Sequence, residues 1–174
     1  MAADHGPDEA ARRYRAIVVT SLRQLRGLEK TRLRLHVSPD EGHEAVRFWL
    51  LPRLAESWQM ENSVFRSQGW EIDFGGDSHA FTIEASGEIL CPNLGARWVH
   101  TALLGIGNTT HQVIGPALDG GEYFRAHSLV AAAHTEPRIL PALPIIQSST
   151  HWEDALLSPL GAALKRAWEE EEFG

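Results

Sequence analysis

The chain has 174 residues, 43% hydrophobic and 22% charged, and carries a net charge of −7. This is the size and composition of one ordinary globular domain, which excludes disordered and fibrous classes. The negative balance argues against nucleic acid as a partner, no apolar run approaches a membrane span, and the single cysteine, Cys91, cannot close an internal disulfide.

The opening segment MAADHGPDEA is acidic and polar, without the apolar stretch and cleavage site of a secretory leader, so a cytoplasmic location is expected. Residues 1–15 read as a polar extension, 16–168 as the domain and 169–174 as an acidic tail. Half of the 16 basic residues lie between Arg12 and Arg34, where Glu29 is the only acid, and Glu169 to Glu172 form an acidic run near the other end. Such charges are usually solvated faces; the sharper alternative is an anion site near the first strand.

In chain order, AIVVT (Ala16–Thr20) is a β-branched apolar run that reads as a first central strand. SLRQLRGLEKTRLRLHV follows as a loop leading into an extended or irregular piece. Ser38, Pro39 and Glu41 predict a capped helix start, with Val46, Trp49, Leu50, Leu54 and Trp58 on its buried face and Pro52 kinking it near Phe48. Between Met60 and Leu90 only AFTIE and EIL read as strand. Asn93 is placed to cap a helix carrying Leu94, Trp98, Val99, Ala102, Leu103 and Ile106, ended by Gly105 and Gly107. HQVIG is then a strand, EYFRAHSLVAAA another passing into a helix or loop, EPRILPALPIIQSS a proline-punctuated crossing, and Thr150 with Glu153 opens a final helix that restarts at Ser158 and Pro159, with Leu156, Leu157, Leu160, Leu164 and Trp168 on its buried side. Strands alternating with helices predict a single α/β domain, a three-layer sandwich around a mainly parallel sheet.

The stretch GPALDGG places an acid, Asp119, just past a strand and before Gly120 and Gly121. In an open α/β sheet ligands bind outside the carboxyl ends of strands, and glycines let a backbone approach one closely. The alternative is an ordinary Asp-Gly turn.

The segment from Cys91 to Phe124 resembles the core of a bacterial family of glycosyltransferase-A-like nucleotide-diphospho-sugar transferases, of the radical-SAM/selenodomain-associated type. Cys91, Pro92, Leu94, Gly115, Pro116, Ala117, Asp119, Gly120, Gly121 and Tyr123 match its motifs, and Lys30, Thr31, Arg32 and Leu33 match its KTRL segment. IIQSSTHWEDAL is similar to its late helix start, and DFGGDS (Asp73–Ser78) to a further segment. The resemblance implies binding of a nucleotide or nucleotide sugar through Lys30, Thr31, Arg32, Gly120 and Gly121. It implies a Mg2+ or Mn2+ ion held at Asp119 only together with nucleotide, and Asp119 itself as metal ligand or acceptor-side base. Tyr123, Asp73 and Trp70 are the substrate-side candidates, Trp70 as a stacking platform. The sequence departs from the family at Leu90, where its metal-binding acid belongs, at Asp77, a charge reversal, and in being shortened.

No pair of the nine histidines has metal-ligand spacing, His100 and His111 read as structural, and Cys91 reads as a core residue. Two functions follow: a compact nucleotide-dependent transferase, or a degenerate relative that keeps the fold and serves as a binding or scaffolding protein for a protein partner.

Overall fold

The computed structural model describes residues 5–26, 28, 31–36, 40–54, 69–74, 83–104, 106, 110–128 and 136–171. Lys30, Ser38, Pro39, Trp58, Asp77, Gly105 and Gly107 lie outside them. The first element corrects the sequence reading. AIVVT is not a strand but the middle of helix α1, Pro7–Gln24, whose Ala16 to Leu22 are all buried. Its start was written in the segment read as an extension: Pro7 stands in the first turn, Asp8 and Glu9 follow, and Arg23 closes the last turn, each favouring the helix dipole or geometry. A helix apolar on all sides belongs in the interior, and a short apolar run cannot be told from a strand by pattern alone.

β1 (Thr31–His36) alternates arginine with leucine, and β2 (Gly69–Phe74) alternates Trp70, Ile72 and Phe74 with acids. Between them a 3-10 turn, Asp40–Gly42, enters α2, His43–Leu54, with Pro52 in its last turn. β3 (Ile83–Gly87) is followed by a tight loop and α3 (Ala96–Leu103), which Gly95 rather than Asn93 precedes, with no side-chain cap. β4 (Gln112–Pro116) and β5 (Glu122–Ser128) form a hairpin, and β6 (Arg138–Ile139) is a short edge. α4 (Ser149–Leu156) is capped by Ser148, whose hydroxyl accepts the His151 N–H, not by Thr150. The chain breaks at Leu157 to Leu160 and restarts as α5, Gly161–Glu170. The break shifts the phase of the apolar stripe, which leaves Leu157 88% exposed while Leu164 is fully buried.

Among the described residues the sheet has six strands in the order β1-β2-β3-β5-β4-β6, and of these strand pairs only β4 with β6 is parallel. The expected mainly parallel sheet is therefore a mixed one. Part of that expectation has a physical basis, because following the pairings shows β3 and β4 pointing the same way, joined through α3, with the hairpin strand β5 inserted antiparallel between them. Buried Val113, Gly115, Tyr123, Phe124, Ala126 and Ala85 share the core with α1, α3, α4 and α5, whereas the alternate positions Gln112, Ile114, Arg125 and His127 are half-buried or exposed. On β4 and β5 this one-sided alternation is that of an antiparallel sheet with one packed face. No helix among the described residues is long and apolar enough to cross a membrane.

Candidate functional site

The carboxyl ends of β3 and β4 lie at one end of the sheet, where the loop Glu88–Gly95 and the turn Ala117–Gly121 meet the proline-rich segment before α4. The turn is a β-turn: Gly120 N–H donates to the Ala117 carbonyl at 3.3 Å, and Ala117 N–H donates to Gly121 at 3.1 Å. Gly120 and Gly121 take φ values of 93° and 85°, the left-handed region that only glycine enters without strain. Asp119 is exposed at the tip.

The rest of the motif points inward. Gly115 pairs with Phe124 and Pro116 with Glu122, so Tyr123 is the extra residue of a bulge, and its ring folds back over Gly115. A Cβ on Gly115 would lie 2.5 Å from the ring. The ring is fixed at its far end, where the hydroxyl donates to the Pro141 carbonyl at 2.9 Å and accepts from Trp98 Nε1 at 3.1 Å. Burial pushes this hydroxyl above its ordinary pKa, partly offset by the Trp98 N–H. Leu118 N–H and Leu143 N–H, which donate to the Leu143 and Pro116 carbonyls, tie the turn to the same segment. The glycines and the tyrosine thus lock one hairpin between α3 and the chain that follows β6.

The candidate residues are only partly gathered. Trp70 pairs with Leu35 and Gly87, which puts its backbone at the Asp119 end of the ladder. Thr31 opens β1 at the other end, and Arg32 and Asp73 face each other on a rung that continues through Glu84 and His127 to Gln112. β1 also stands three strands from β5, roughly 14 Å at ordinary strand spacing. Arg32 and Asp119 thus stand toward opposite ends of the ladder along their backbones, and the segment AIVVT that was to carry the basic loop to the centre of the sheet is a helix.

A residue that sequence reasoning passed over is Glu88. It directly follows β3, two positions before Leu90, its carboxylate accepts the Leu90 N–H at 3.2 Å, and its charge, after burial, raises the Tyr14 hydroxyl pKa. The sequence reading placed it in a strand, EIL, but Glu88 to Leu90 lie in the loop that follows β3. Leu90 holds the loop through its carbonyl, which accepts Ile146 N–H, and Cys91 is 1% exposed, its thiol pushed up to about 12 by burial. Asp119 is an exposed carboxylate, Glu88 accepts a backbone N–H, and among the described residues no three His, Cys, Asp or Glu side chains gather, so any cation here would need further oxygens from a bound phosphate.

The basic segment has another use. Arg12 stacks on Trp168 at 3.9 Å and donates to its carbonyl, Arg23 pairs with Glu170 at 2.8 Å, and Arg53 with Glu171 at 2.6 Å. Two arginines of the basic stretch, Arg15 and Arg23, and Arg53 beyond it thus pair with acids at the chain's other end, which had been read as a separate solvated face. Comparison with protein-family models, curated proteins and solved structures gives no match.

Proposed function

We propose that the chain is a non-catalytic binding or scaffolding domain whose transferase-like motif serves as a structural clamp. The observation that carries this reading is the inward use of GPALDGGEY, in which Gly115 is roofed by a Tyr123 ring bonded to Pro141 and Trp98. A group that must meet substrate gains nothing from being fully buried and tied at its polar end. A protein partner is supported by the β6 edge, where Leu104, Leu118 and Ile139 are 60%, 68% and 60% exposed. Arg138 binds the Thr101 and Leu104 carbonyls, which brings Ile139 close to the end of α3.

One observation favours the transferase reading instead. The ends of β3 and β4 are adjacent in direction and place, so Glu88 and Asp119 are carboxylates at the same end of the sheet, where α/β ligands bind. Thermal denaturation against a panel of nucleotides and nucleotide sugars, with and without magnesium or manganese, separates the two. A ligand held by the folded chain alone raises its stability. The binding-domain reading expects no shift with any member, and a shift that disappears in Asp119→Asn or Glu88→Gln would replace it with the transferase.

A further inference from the structure

Helix α5 breaks a rule that most helices obey. A helix C-terminus carries partial negative charge and favours cations, yet the last turn of α5 has no basic residue and runs through Glu169 and Glu170 into Glu171. Carboxylates there carry a cost unless another element supplies donors. Glu171 is met by three. Its side chain is only 1% exposed; Trp49 Nε1 donates to its two oxygens at 2.9 and 3.0 Å, Arg53 Nε donates to one at 2.6 Å, and Arg15 Nη1 stands 3.8 Å from the other.

Arg53 is held by contacts that do not involve Glu171. Arg53 Nη1 donates to the Trp49 carbonyl at 2.8 Å, and the Arg53 carbonyl accepts Arg23 Nη2 at 3.3 Å. The geometry also selects the anion. One indole N–H bridges two coplanar oxygens while a guanidinium takes one of them, an arrangement made for a planar carboxylate. A tetrahedral phosphate would have to place further oxygens in space that is closed to solvent.

We infer that Arg15, Trp49 and Arg53 form a carboxylate-binding site that the chain fills with its own Glu171, and that accepts a carboxylate from solution once Glu171 is withdrawn. The site discriminates carboxylate from phosphate and chloride, and in the isolated chain its ligand is the acidic end of its own α5. This is independent of the function proposed above, because it uses neither the β4–β5 turn nor the β6 edge.

The test is chemical rescue of Glu171→Ala in the full chain, with melting followed in sodium acetate, phosphate or chloride at equal ionic strength. The variant should melt well below the wild type in chloride. Acetate at tenfold its dissociation constant should raise the variant's melting temperature by about 3–5 °C, with phosphate no better than chloride and the wild type indifferent to the anion. Glu171→Ser is a second variant that keeps a polar group beside Arg53 and leaves room for formate, which should act on it as acetate does on the alanine. Adding Arg53→Gln to either variant should abolish the response. Equal melting in acetate and chloride, a response to phosphate as large as to acetate, or failure of both variants to fold in any of these salts would overturn the assignment.

Discussion

Replacing Gly115 by alanine tests whether the motif is a clamp. The added methyl would lie 2.5, 2.6 and 2.9 Å from three carbons of the Tyr123 ring, far inside van der Waals contact. The ring cannot simply retreat, because its hydroxyl is bonded to Pro141 and Trp98 and its surroundings are fully buried. Forcing a methyl into a packed core costs about 1–3 kcal/mol, and each hydrogen bond lost as the ring tilts costs about 1 kcal/mol more. The sum is roughly 2–5 kcal/mol, a fall of about 4–20 °C in melting temperature for a domain of this size. Urea denaturation of Gly115→Ala, Tyr123→Ala and the double variant measures the coupling directly. With the ring gone the methyl has space, so the glycine substitution should cost far less in the Tyr123→Ala background, a coupling of about 2 kcal/mol. Equal losses in both backgrounds would refute the clamp.

Tyr123→Phe removes both hydrogen bonds while keeping the ring, and should lower stability by about 1–3 kcal/mol in urea titrations. Asp119→Asn alters an exposed turn tip and should leave the urea midpoint unchanged; a clear loss would mean that the carboxylate supports the turn. Burial raises the Cys91 pKa from 9.0 to about 12, so the folded chain keeps a proton that the unfolded chain has lost. Its contribution is intact below pH 9 and falls as pH rises toward 12, by up to about 1.4 kcal/mol per unit. Cys91→Ala should flatten that decline in denaturation curves measured across the range. Arg53→Met strands the buried Glu171 carboxylate and should cost about 3–5 kcal/mol, read from the same curves.

The legible part of the fold was the part governed by local chemistry. HQVIG formed a strand, EYFRAHSLVAAA opened as one over its described residues, the glycine pair made the turn, and Ser158 with Pro159 marked the restart of the last helix. What misled was AIVVT, whose β-branched composition outweighed the helix-start signals at Pro7, Asp8 and Glu9 because its environment is set by distant residues. That one error carried the parallel-sheet expectation with it. β1 and β2 were readable as alternation, Leu33 and Leu35 against arginines and Trp70, Ile72 and Phe74 against acids, but flanking charges and glycines masked them. The Glu171 site required two halves of the sequence to be read together. Its arginines and its acid each looked like ordinary surface.

The pairing of α1 with α5 sets the order in which the molecule can assemble. Arg12 and Trp168 are 156 positions apart, and α1, the first described element, is apolar around its whole middle. A ribosome adding about 5–20 residues per second leaves α1 without α5 for on the order of 10–30 s. During that interval Ile17, Val18, Val19 and Leu22 have none of the cover that Leu164 and Ala167 later give the same core. Contacts of such long range also slow folding of the released chain, because the loop must close before the apolar surface is covered. The nascent α1 is therefore the segment most in need of a chaperone's protection, and α5 the one whose arrival ends that need.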